Sequence, residues 1–216
     1  MLYIHTAVRV YTALHYGARG DDVLDESEPP GDEFQSELCV AWEQAARRAE
    51  AASIRVCRVR TGIVLGAEDG ALAQMITPFK FGLGGHFGTG TQYMPWIHIR
   101  DEVRAIRFLI DKPDCSGAFN LTAPEPATNR EFTTTLARVL HRPKFAWVPG
   151  PALKLMVGEM AHLLLTGQRA VPSALEKAGF TFEREVDEWD VWFKQVHQRI
   201  AEHKVGPNYI DPARLV

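Results

Sequence analysis

The sequence has few cysteines and no excess of either charge. Its three cysteines have no CxxC spacing and leave one thiol unpaired under any pairing, which disfavours a disulfide scaffold and predicts a reducing, intracellular compartment. The 24 basic side chains are scattered among 27 acidic ones, for a net charge of −3. Without a basic cluster, the sequence predicts neither a nucleic-acid partner nor binding to an anionic membrane surface.

The sequence also lacks a long apolar run. Its most apolar window, residues 152–165, is too short to cross a bilayer and contains Lys154, Glu159 and His162. The first ten residues show no basic start followed by an apolar stretch, so we expect no signal peptide. We therefore expect a cytoplasmic protein without a membrane partner.

The common catalytic and metal-binding motifs are missing as well. The sequence has no P-loop, no GxSxG elbow, no HExxH pair and no EF-hand loop. The closest histidines, His197 and His203, lie six residues apart on a predicted surface helix, which is not a ligand spacing. The sequence therefore predicts no metal site.

What is present favours a globular α/β domain. Hydrophobic residues make up 46% of the chain, enough to offset the entropy lost on ordering it. Strands are expected at residues 7–11, 54–60, 63–65, 96–99, 118–121 and 145–148. Helices are expected from residues 34, 71, 101, 128 and 152, and an apolar stripe over residues 186–200 predicts a last one. Such alternation is typical of a parallel or mixed sheet.

Local patterns predict how these helices begin and which faces they bury. The first helix should bury the stripe Phe34, Leu38, Trp42, Ala45 and Ala49. Cys39 lies beside that stripe and is interpreted as a small buried residue. Pro78 should bend or shorten the second helix, and Asp101 should cap the third. The inward face of the third helix should be Val103, Ile106, Leu109 and Ile110. Thr128 and Glu131 form a capping-box pattern ahead of the fourth.

Residues 82–90 contain five glycines in nine positions, so no regular structure is expected there. Three interpretations stay open: a loop without a role, a loop whose bare amides approach a substrate, and a phosphate nest. As a nucleotide fingerprint the GGHFGTG run is weak, because it inverts the order of GxGxxG. In the substrate interpretation Gly85 is part of the pocket, and its side chains come from Gln92, Tyr93, Trp96 and His98. An aromatic here is equally consistent with a core position.

Five blocks of sequence carry a resemblance to a known family. They are RTGIVLG (60–66), PFKFGLGG (78–85), GTGTQYMPWIHIRD (88–101), FNLTAPEPATN (119–129) and GQRAVP (167–172). Taken in this order, they resemble the nucleoside-diphosphate-sugar epimerase-like branch of the extended short-chain dehydrogenases/reductases, which ends in a small C-terminal domain of unknown function. The resemblance implies a truncated Rossmann-type parallel sheet, a mixed α/β substrate-side lobe and a small helical C-terminal domain.

The chain departs from this family in two respects. Members begin with a strand and a GxxGxxG turn at a helix N-terminus, which receives the cofactor's pyrophosphate, and that half is expected to be absent here. The wider superfamily uses Tyr-x-x-x-Lys to lower the pKa of a catalytic tyrosine, and none of the five tyrosines has a lysine four residues on. This branch often lacks that pair.

The resemblance implies where cofactor and substrate would lie. The backbone of Gly62, Ile63 and Val64 would pass beside the nicotinamide of NADP, and a strand end with an ordinary glycine turn is the alternative. The TALHYG segment (12–17) resembles the family's Ser-Ala-x-x-Tyr-Tyr-Gly, so Thr12 and Tyr16 would be the catalytic hydroxyls.

We expect three parts along the chain. Residues 1–148 would be the C-terminal part of an NAD(P)-dependent epimerase/dehydratase-like domain, residues 149–183 the small domain, and residues 184–216 a divergent helix and tail. The resemblance implies an oxidoreductase or epimerase that acts on an unidentified small molecule and is incomplete and inactive alone. The alternative is a non-catalytic binding or assembly module, whose aromatic stripe over residues 189–200 covers a sheet edge in a partner or a homodimer.

Overall fold

A computed structural model describes residues 6–66, 71–144, 146–158 and 160–183. Its strands are β1 (Thr6–Tyr11), β2 (Val23–Leu24), β3 (Val56–Thr61), β4 (Ile63–Leu65), β5 (Gly85–Phe87), β6 (Tyr93–Met94), β7 (Trp96–His98), β8 (Gly117–Leu121), β9 (Ala127–Thr128), β10 (Ala146–Val148) and β11 (Arg169–Ala170). Its α-helices are α1 (Thr12–Tyr16), α2 (Phe34–Arg47), α3 (Ala71–Lys80), α4 (Ile99–Asp111), α5 (Asn129–Val139), α6 (Gly150–Val157), α7 (Met160–Thr166) and α8 (Ser173–Lys177). A 3-10 helix over Arg48–Ala52 follows α2. The helix predicted over residues 186–200 lies outside the described residues.

A three-stranded parallel sheet in the order β1-β3-β8 forms the centre of the fold. Every residue of β3 is buried, as expected for a central parallel strand. The register places Tyr11 beside Thr61 and Thr61 beside Leu121, so all three strands end together. We call this end of the strands the carboxyl edge, and the opposite end the amino edge.

Helices cover both faces of this sheet. Side chains alternate along a strand, and Arg60 of β3 bonds Glu43 of α2, whereas Thr61 bonds Glu102 of α4. These two helices therefore lie on opposite faces. The connection from β1 to β3 passes through α2, and the connection from β3 to β8 passes through α4. Both connections move in the same direction across the sheet, but they cross on opposite faces, so they have opposite handedness. One of them departs from the usual right-handed rule.

A mixed α/β lobe accompanies the sheet. β4 pairs with β7 and β5 with β10 in parallel, and β6 pairs with β9 in antiparallel. Large members of its core are Leu72, Ile76, Phe79, Phe132 and Leu136. The capping box at α5 is confirmed: the Glu131 amide donates to the Thr128 hydroxyl at 3.2 Å, and the Glu131 carboxylate accepts from the Thr128 amide at 2.8 Å.

The α2 helix was predicted correctly, but its buried face was predicted wrongly. Phe34, Leu38 and Trp42 are 75%, 41% and 50% exposed. The side chains that α2 buries are Ser36, Cys39, Glu43 and Ala46. The sheet face under α2 presents Arg58 and Arg60, so the helix buries a carboxylate there in place of the apolar stripe. Cys39 is buried as predicted.

The start of α4 and its inner face also differ from the prediction. The helix is capped by His98, whose Nδ1 accepts from the Arg100 amide at 3.1 Å, and Asp101 lies buried in the first turn. The cap falls three residues early because β7 runs directly into the helix. Val103 and Ile110 are 58% and 45% exposed. The inner face is Asp101, Glu102, Ala105 and Leu109.

Three further local predictions need correction. Residues 85–87 of the glycine-rich segment form β5, because pairing with β10 satisfies their backbone. Pro78 does not shorten α3, which continues to Lys80. The single helix expected over residues 152–165 is two helices, because Gly158 ends α6 at a φ of 62°.

Among the described residues, no helix is long and apolar enough to span a bilayer.

Candidate functional site

The carboxyl edge of the sheet is the candidate site, because open α/β sheets bind ligands beyond the carboxyl ends of their strands. Thr12 follows β1 directly, and its hydroxyl donates to the carbonyl of Thr61 at 3.3 Å. Gly62 follows β3, and Thr122 follows β8. The fold thus brings two positions predicted from sequence, Thr12 and Gly62, to the ends of neighbouring strands.

Thr122 belongs to this edge and was missed by the sequence analysis. Its side chain is fully buried, like that of Thr12. Its Oγ1 has no hydrogen-bond partner among the described residues. A buried hydroxyl of this kind costs about 1–3 kcal/mol, which marks Thr122 as a candidate ligand contact. The available signal was a hydroxyl residue immediately after the apolar end of a strand.

Packing requires a glycine at position 62. A β-carbon there would stand 2.6 Å from the carbonyl oxygen of Pro95, too close for any side chain. The Gly62 amide donates to the Leu121 carbonyl at 3.0 Å, and the Ile63 amide donates to Pro95 at 2.6 Å. Both amides are therefore used in backbone hydrogen bonds to neighbouring segments. The cofactor contact predicted for this segment depends on Val64, which is half-buried against the core.

Gly85 and Gln92 lie within the mixed lobe. Gly85 begins β5 and pairs with β10. The Gln92 side-chain amide donates to the Phe87 carbonyl at 3.1 Å and to the Leu164 carbonyl at 3.0 Å. Gln92 thus links Phe87, in the glycine-rich segment, to α7, a structural role that the sequence did not indicate.

Trp96 and His98 both contribute to the fold at β7. Trp96 is 1% exposed and packs in the core of the mixed lobe, with its indole N–H donating to the Glu125 carbonyl at 3.3 Å. His98 is buried and caps α4. The core interpretation of the aromatic at position 96 is therefore correct.

Tyr16 is buried and its hydroxyl is engaged inside the protein. The hydroxyl lies 2.9 Å from Asn120 Oδ1 and 2.9 Å from the Asp25 carbonyl, and it accepts from Arg60 Nη1 at 2.9 Å. Burial raises the pKa of Tyr16, although Arg60 and Asn120 act in the opposite direction. A phenol with a raised pKa stays protonated near neutral pH, so Tyr16 is poorly suited to accept a proton from a substrate.

A buried charge cluster lies between the sheet and α2. Glu43 binds Arg60 through two bonds of 2.8 and 3.1 Å, and Arg58 Nε lies 3.3 Å from the same carboxylate. His15 Nδ1 lies 3.7 Å from Glu43. Burial opposes ionisation of Glu43, but Arg60, with His15 and Arg58, outweighs it and lowers the pKa of this carboxyl. The two arginines alternating within an apolar strand were the sequence signal for a carboxylate on the facing helix.

The helices that directly follow β1, β7 and β9 do not fit the diphosphate of a dinucleotide. Such a group binds free amides where a glycine-rich turn leads into a helix. β1, β7 and β9 run directly into helices, with no glycine at any of these junctions. Asp101 and Glu102 occupy the first turn of α4, where they repel an anion. Gly82, Gly85 and Gly88 are spaced three apart, but Gly82 precedes β5, Gly85 begins it and Gly88 follows it, so the three glycines do not lead into a helix.

The parallel sheet covered on both faces, with its candidate site at the carboxyl edge, defines a Rossmann-like α/β protein. Residues 3–122 match the model of the NAD dependent epimerase/dehydratase family, and residues 148–185 match a domain of unknown function, DUF1731. The chain belongs to the NAD dependent epimerase/dehydratase family. This finding confirms the family and the fold class expected from the resemblance.

Similar proteins carry the same family name. An epimerase family protein of Mycobacterium bovis is 46% identical over 180 residues, which cover 83% of this chain and 60% of the relative. One of Staphylococcus haemolyticus is 43% identical over 150 residues, which cover 69% of this chain and 50% of the relative. The chain therefore spans less than two thirds of the length of these relatives.

Two solved structures of similar proteins have the same fold. The human epimerase family protein SDR39U1 (isoform 2), crystallised with NADPH, matches with a TM-score of 0.80 and 32% identity, over 90% of this chain and 65% of its own. A nucleoside-diphosphate sugar epimerase of Corynebacterium glutamicum matches with a TM-score of 0.72 and 28% identity, over 98% of this chain and 42% of its own.

Proposed function

We propose that this chain is the substrate-side part of an NAD(P)-dependent oxidoreductase or epimerase acting on a small molecule, and that alone it holds no dinucleotide and is inactive. Family membership supports the reaction class. The NADPH in the structure of the human relative favours NADP as the cofactor. The proposal that the chain alone holds no dinucleotide is carried by the poor fit of a diphosphate to the N-termini of α1, α4 and α5, the helices that directly follow strands.

Within such a protein, we assign the ligand-facing hydroxyls to Thr12 and Thr122. Both side chains are fully buried, and both residues follow parallel strands at the same edge. The Thr12 hydroxyl donates its proton to the Thr61 carbonyl, so it is assigned only as an acceptor from a ligand. Gly62, Ile63 and Val64 run between them and are retained as the proposed cofactor side. Because the amides of Gly62 and Ile63 are engaged, Val64 is the position we expect to contact the nicotinamide.

The other predicted positions are not retained in this site. Tyr16, Gln92 and Trp96 use their polar side-chain atoms in hydrogen bonds within the fold. His98 caps α4, and Gly85 is part of a paired strand. We assign these five residues to the architecture that supports the site.

Isothermal titration of the purified chain with NADPH tests the proposal. We expect no heat beyond that of dilution, because the diphosphate would lose its hydration without gaining free amides. Micromolar binding by the chain alone would overturn the proposal. In that event Thr12→Val decides the location: weaker binding places the cofactor at the carboxyl edge, and unchanged binding places it elsewhere.

A second candidate function, an assembly module, is favoured by one specific observation. β1 pairs on one side only among the described strands, and the neighbouring α2 exposes Phe34, Leu38 and Trp42. An open edge beside an exposed apolar helix face is typical of a surface that another chain covers. Sedimentation separates the functions: a dimer favours assembly, and a monomer at every concentration contradicts it.

The compartment and the excluded partners also belong to the proposal. All three cysteines are buried thiols without a disulfide, which supports a reducing, cytoplasmic location. The balanced charge supports a small-molecule substrate in preference to nucleic acid or membrane.

A further inference from the structure

A cleft of about 420 Å³ opens at the amino edge of the sheet. β3 and β8 begin there, with Val56 and Gly117 as their first residues. The strands are parallel, so this edge is opposite the one that carries Thr12 and Thr122. The volume lies within the range of small-molecule sites, roughly 300–1,000 Å³. The polar lining of the cleft consists of Arg47, Glu50, Arg55, Arg58 and Ser116, with Gly117 at the start of β8.

Three arginines against one glutamate make the cleft cationic. Arg47 is exposed at the end of α2 and has no hydrogen bond or ion pair with another described side chain. Arg58 is 7% exposed; its Nη1 lies 3.3 Å from Glu50, and its Nε lies 3.3 Å from Glu43, which does not line the cleft. Even with both carboxylates counted, the arginines are in excess.

Arg55 forms a fixed wall of the cleft. Its Nη1 donates to the carbonyls of Leu109 and Cys115 at 2.8 and 2.9 Å, and its Nη2 donates to that of Ile110 at 3.0 Å. These bonds hold the guanidinium in place at the end of α4. A cation held in place loses little entropy when an anion binds beside it.

The floor of the cleft is open to a ligand. Gly117 has a φ of 100°, and a β-carbon there would meet no atom within 4 Å. Ser116, directly before it, is exposed. A small anion can therefore approach the start of β8 without displacing a side chain.

We propose that this cleft binds a small ligand with a phosphate or carboxylate group, held by Arg47 and Arg58 and oriented by Ser116. Guanidinium groups pair with such oxyanions through strong, directional hydrogen bonds. The site lies at the opposite edge from the proposed cofactor and substrate positions, so it is independent of the proposed function.

Titration of the 15N-labelled chain with inorganic phosphate, at constant ionic strength, tests the site. We expect saturable shifts of the amide signals of Ser116 and Gly117. Arg47→Gln should weaken the affinity about tenfold, the effect of one lost charge-assisted hydrogen bond. Arg48→Gln is the matched control, because it removes the same charge at the next residue, outside the cleft.

A second variant, Ser116→Leu, tests the location without changing charge. The longer side chain should fill the cleft and abolish the saturable shifts, while the spectrum of the fold stays intact because Ser116 is exposed. Equal weakening by Arg47→Gln and Arg48→Gln would show that only general charge matters and would overturn the proposal. Shifts that never saturate, or that avoid Ser116 and Gly117, would overturn it as well.

Discussion

At the scale of single residues, the environment of His15 determines its chemistry. The imidazole is 2% exposed and lies beside the Glu43, Arg58 and Arg60 cluster. Burial and the positive charge of Arg60 lower its pKa from 6.5 to about 4, although Glu43 acts in the opposite direction and Arg58 adds to the decrease. His15 is therefore neutral in the folded protein at physiological pH.

This lowered pKa predicts an acid-sensitive stability. Above pH 6.5 the imidazole is neutral in both states, whereas between pH 6.5 and about 4 the unfolded chain binds a proton that the folded chain does not. The free energy of unfolding should therefore fall as the pH falls through this window, by up to about 3 kcal/mol. Urea titrations at a series of pH values measure the effect.

His15→Gln should flatten the pH dependence in that window, because glutamine does not titrate. His141→Asn, which removes an exposed imidazole and suits the local φ of 49°, is the control and should keep the wild-type slope. Glu43 also contributes to the pH dependence of stability, but at lower pH. Because its pKa is lowered in the folded protein, the stability that it provides is lost as the pH falls below the usual pKa of a glutamate. A His15→Gln profile parallel to that of the wild type would contradict this account.

At the scale of elements, α2 and α4 show that a polar helix face can be the buried one. α2 places Glu43 against the arginines of β3, and α4 places Asp101 and Glu102 inside. The apolar side chains left outside on α2 and α4 include Leu38 and Val103. Which face is buried is decided by the strand that the helix covers, and sequence periodicity does not contain that information.

Two leucine truncations test these faces. Leu38→Ala, on the exposed face of α2, should change the free energy of unfolding by less than about 0.5 kcal/mol. Leu109→Ala, on the buried face of α4, should cost about 2–5 kcal/mol through the cavity it leaves. Urea unfolding at low protein concentration gives both values. A cost above about 2 kcal/mol for Leu38→Ala would show that α2 buries the apolar stripe after all.

At the scale of the whole molecule, Asn120 joins the sheet to the C-terminal segment. Its Nδ2 donates to the carbonyls of Leu24 and Val171 at 3.3 and 3.0 Å, and its Oδ1 lies 2.9 Å from the Tyr16 hydroxyl. Glu26 strengthens the junction by accepting from the backbone amides of Asn120 and Ala174, at 2.8 and 3.0 Å. The last described part of the chain is thus fixed by buried polar bonds.

Asn120→Leu should therefore loosen the C-terminal segment. The substitution keeps the branched shape of the side chain. It removes the asparagine amide from the Val171 carbonyl, and it removes one of several bonds from the Leu24 carbonyl and the Tyr16 hydroxyl, at a cost of about 1–3 kcal/mol. Hydrogen exchange should accelerate at residues 169–177 more than in β3. Gln44→Leu, on the exposed side of α2, is the control and should leave the exchange unchanged. Uniform acceleration across the chain would contradict a role at this junction.

The sequence by itself determined the features that depend on neighbours a few residues apart. The capping box of Thr128 and Glu131 spans three residues, and the strand, glycine and strand around Gly62 form one short segment. The sequence blocks also identified the family, and with it the fold. Thr12 and Gly62 were located correctly at the ends of strands, because strand ends are visible in the local pattern.

Only the tertiary structure decided the features that depend on residues far apart in the chain. Tyr16 and Asn120 are 104 residues apart, and their hydrogen bond makes Tyr16 part of the framework. Arg60 and Glu43 are 17 apart, and their pairing decides the buried face of α2. Thr122 is a candidate ligand contact only because folding buries it at the carboxyl edge, next to the strand end that carries Thr12. A polar side chain is stable inside only beside its partner, and folding alone brings such partners together.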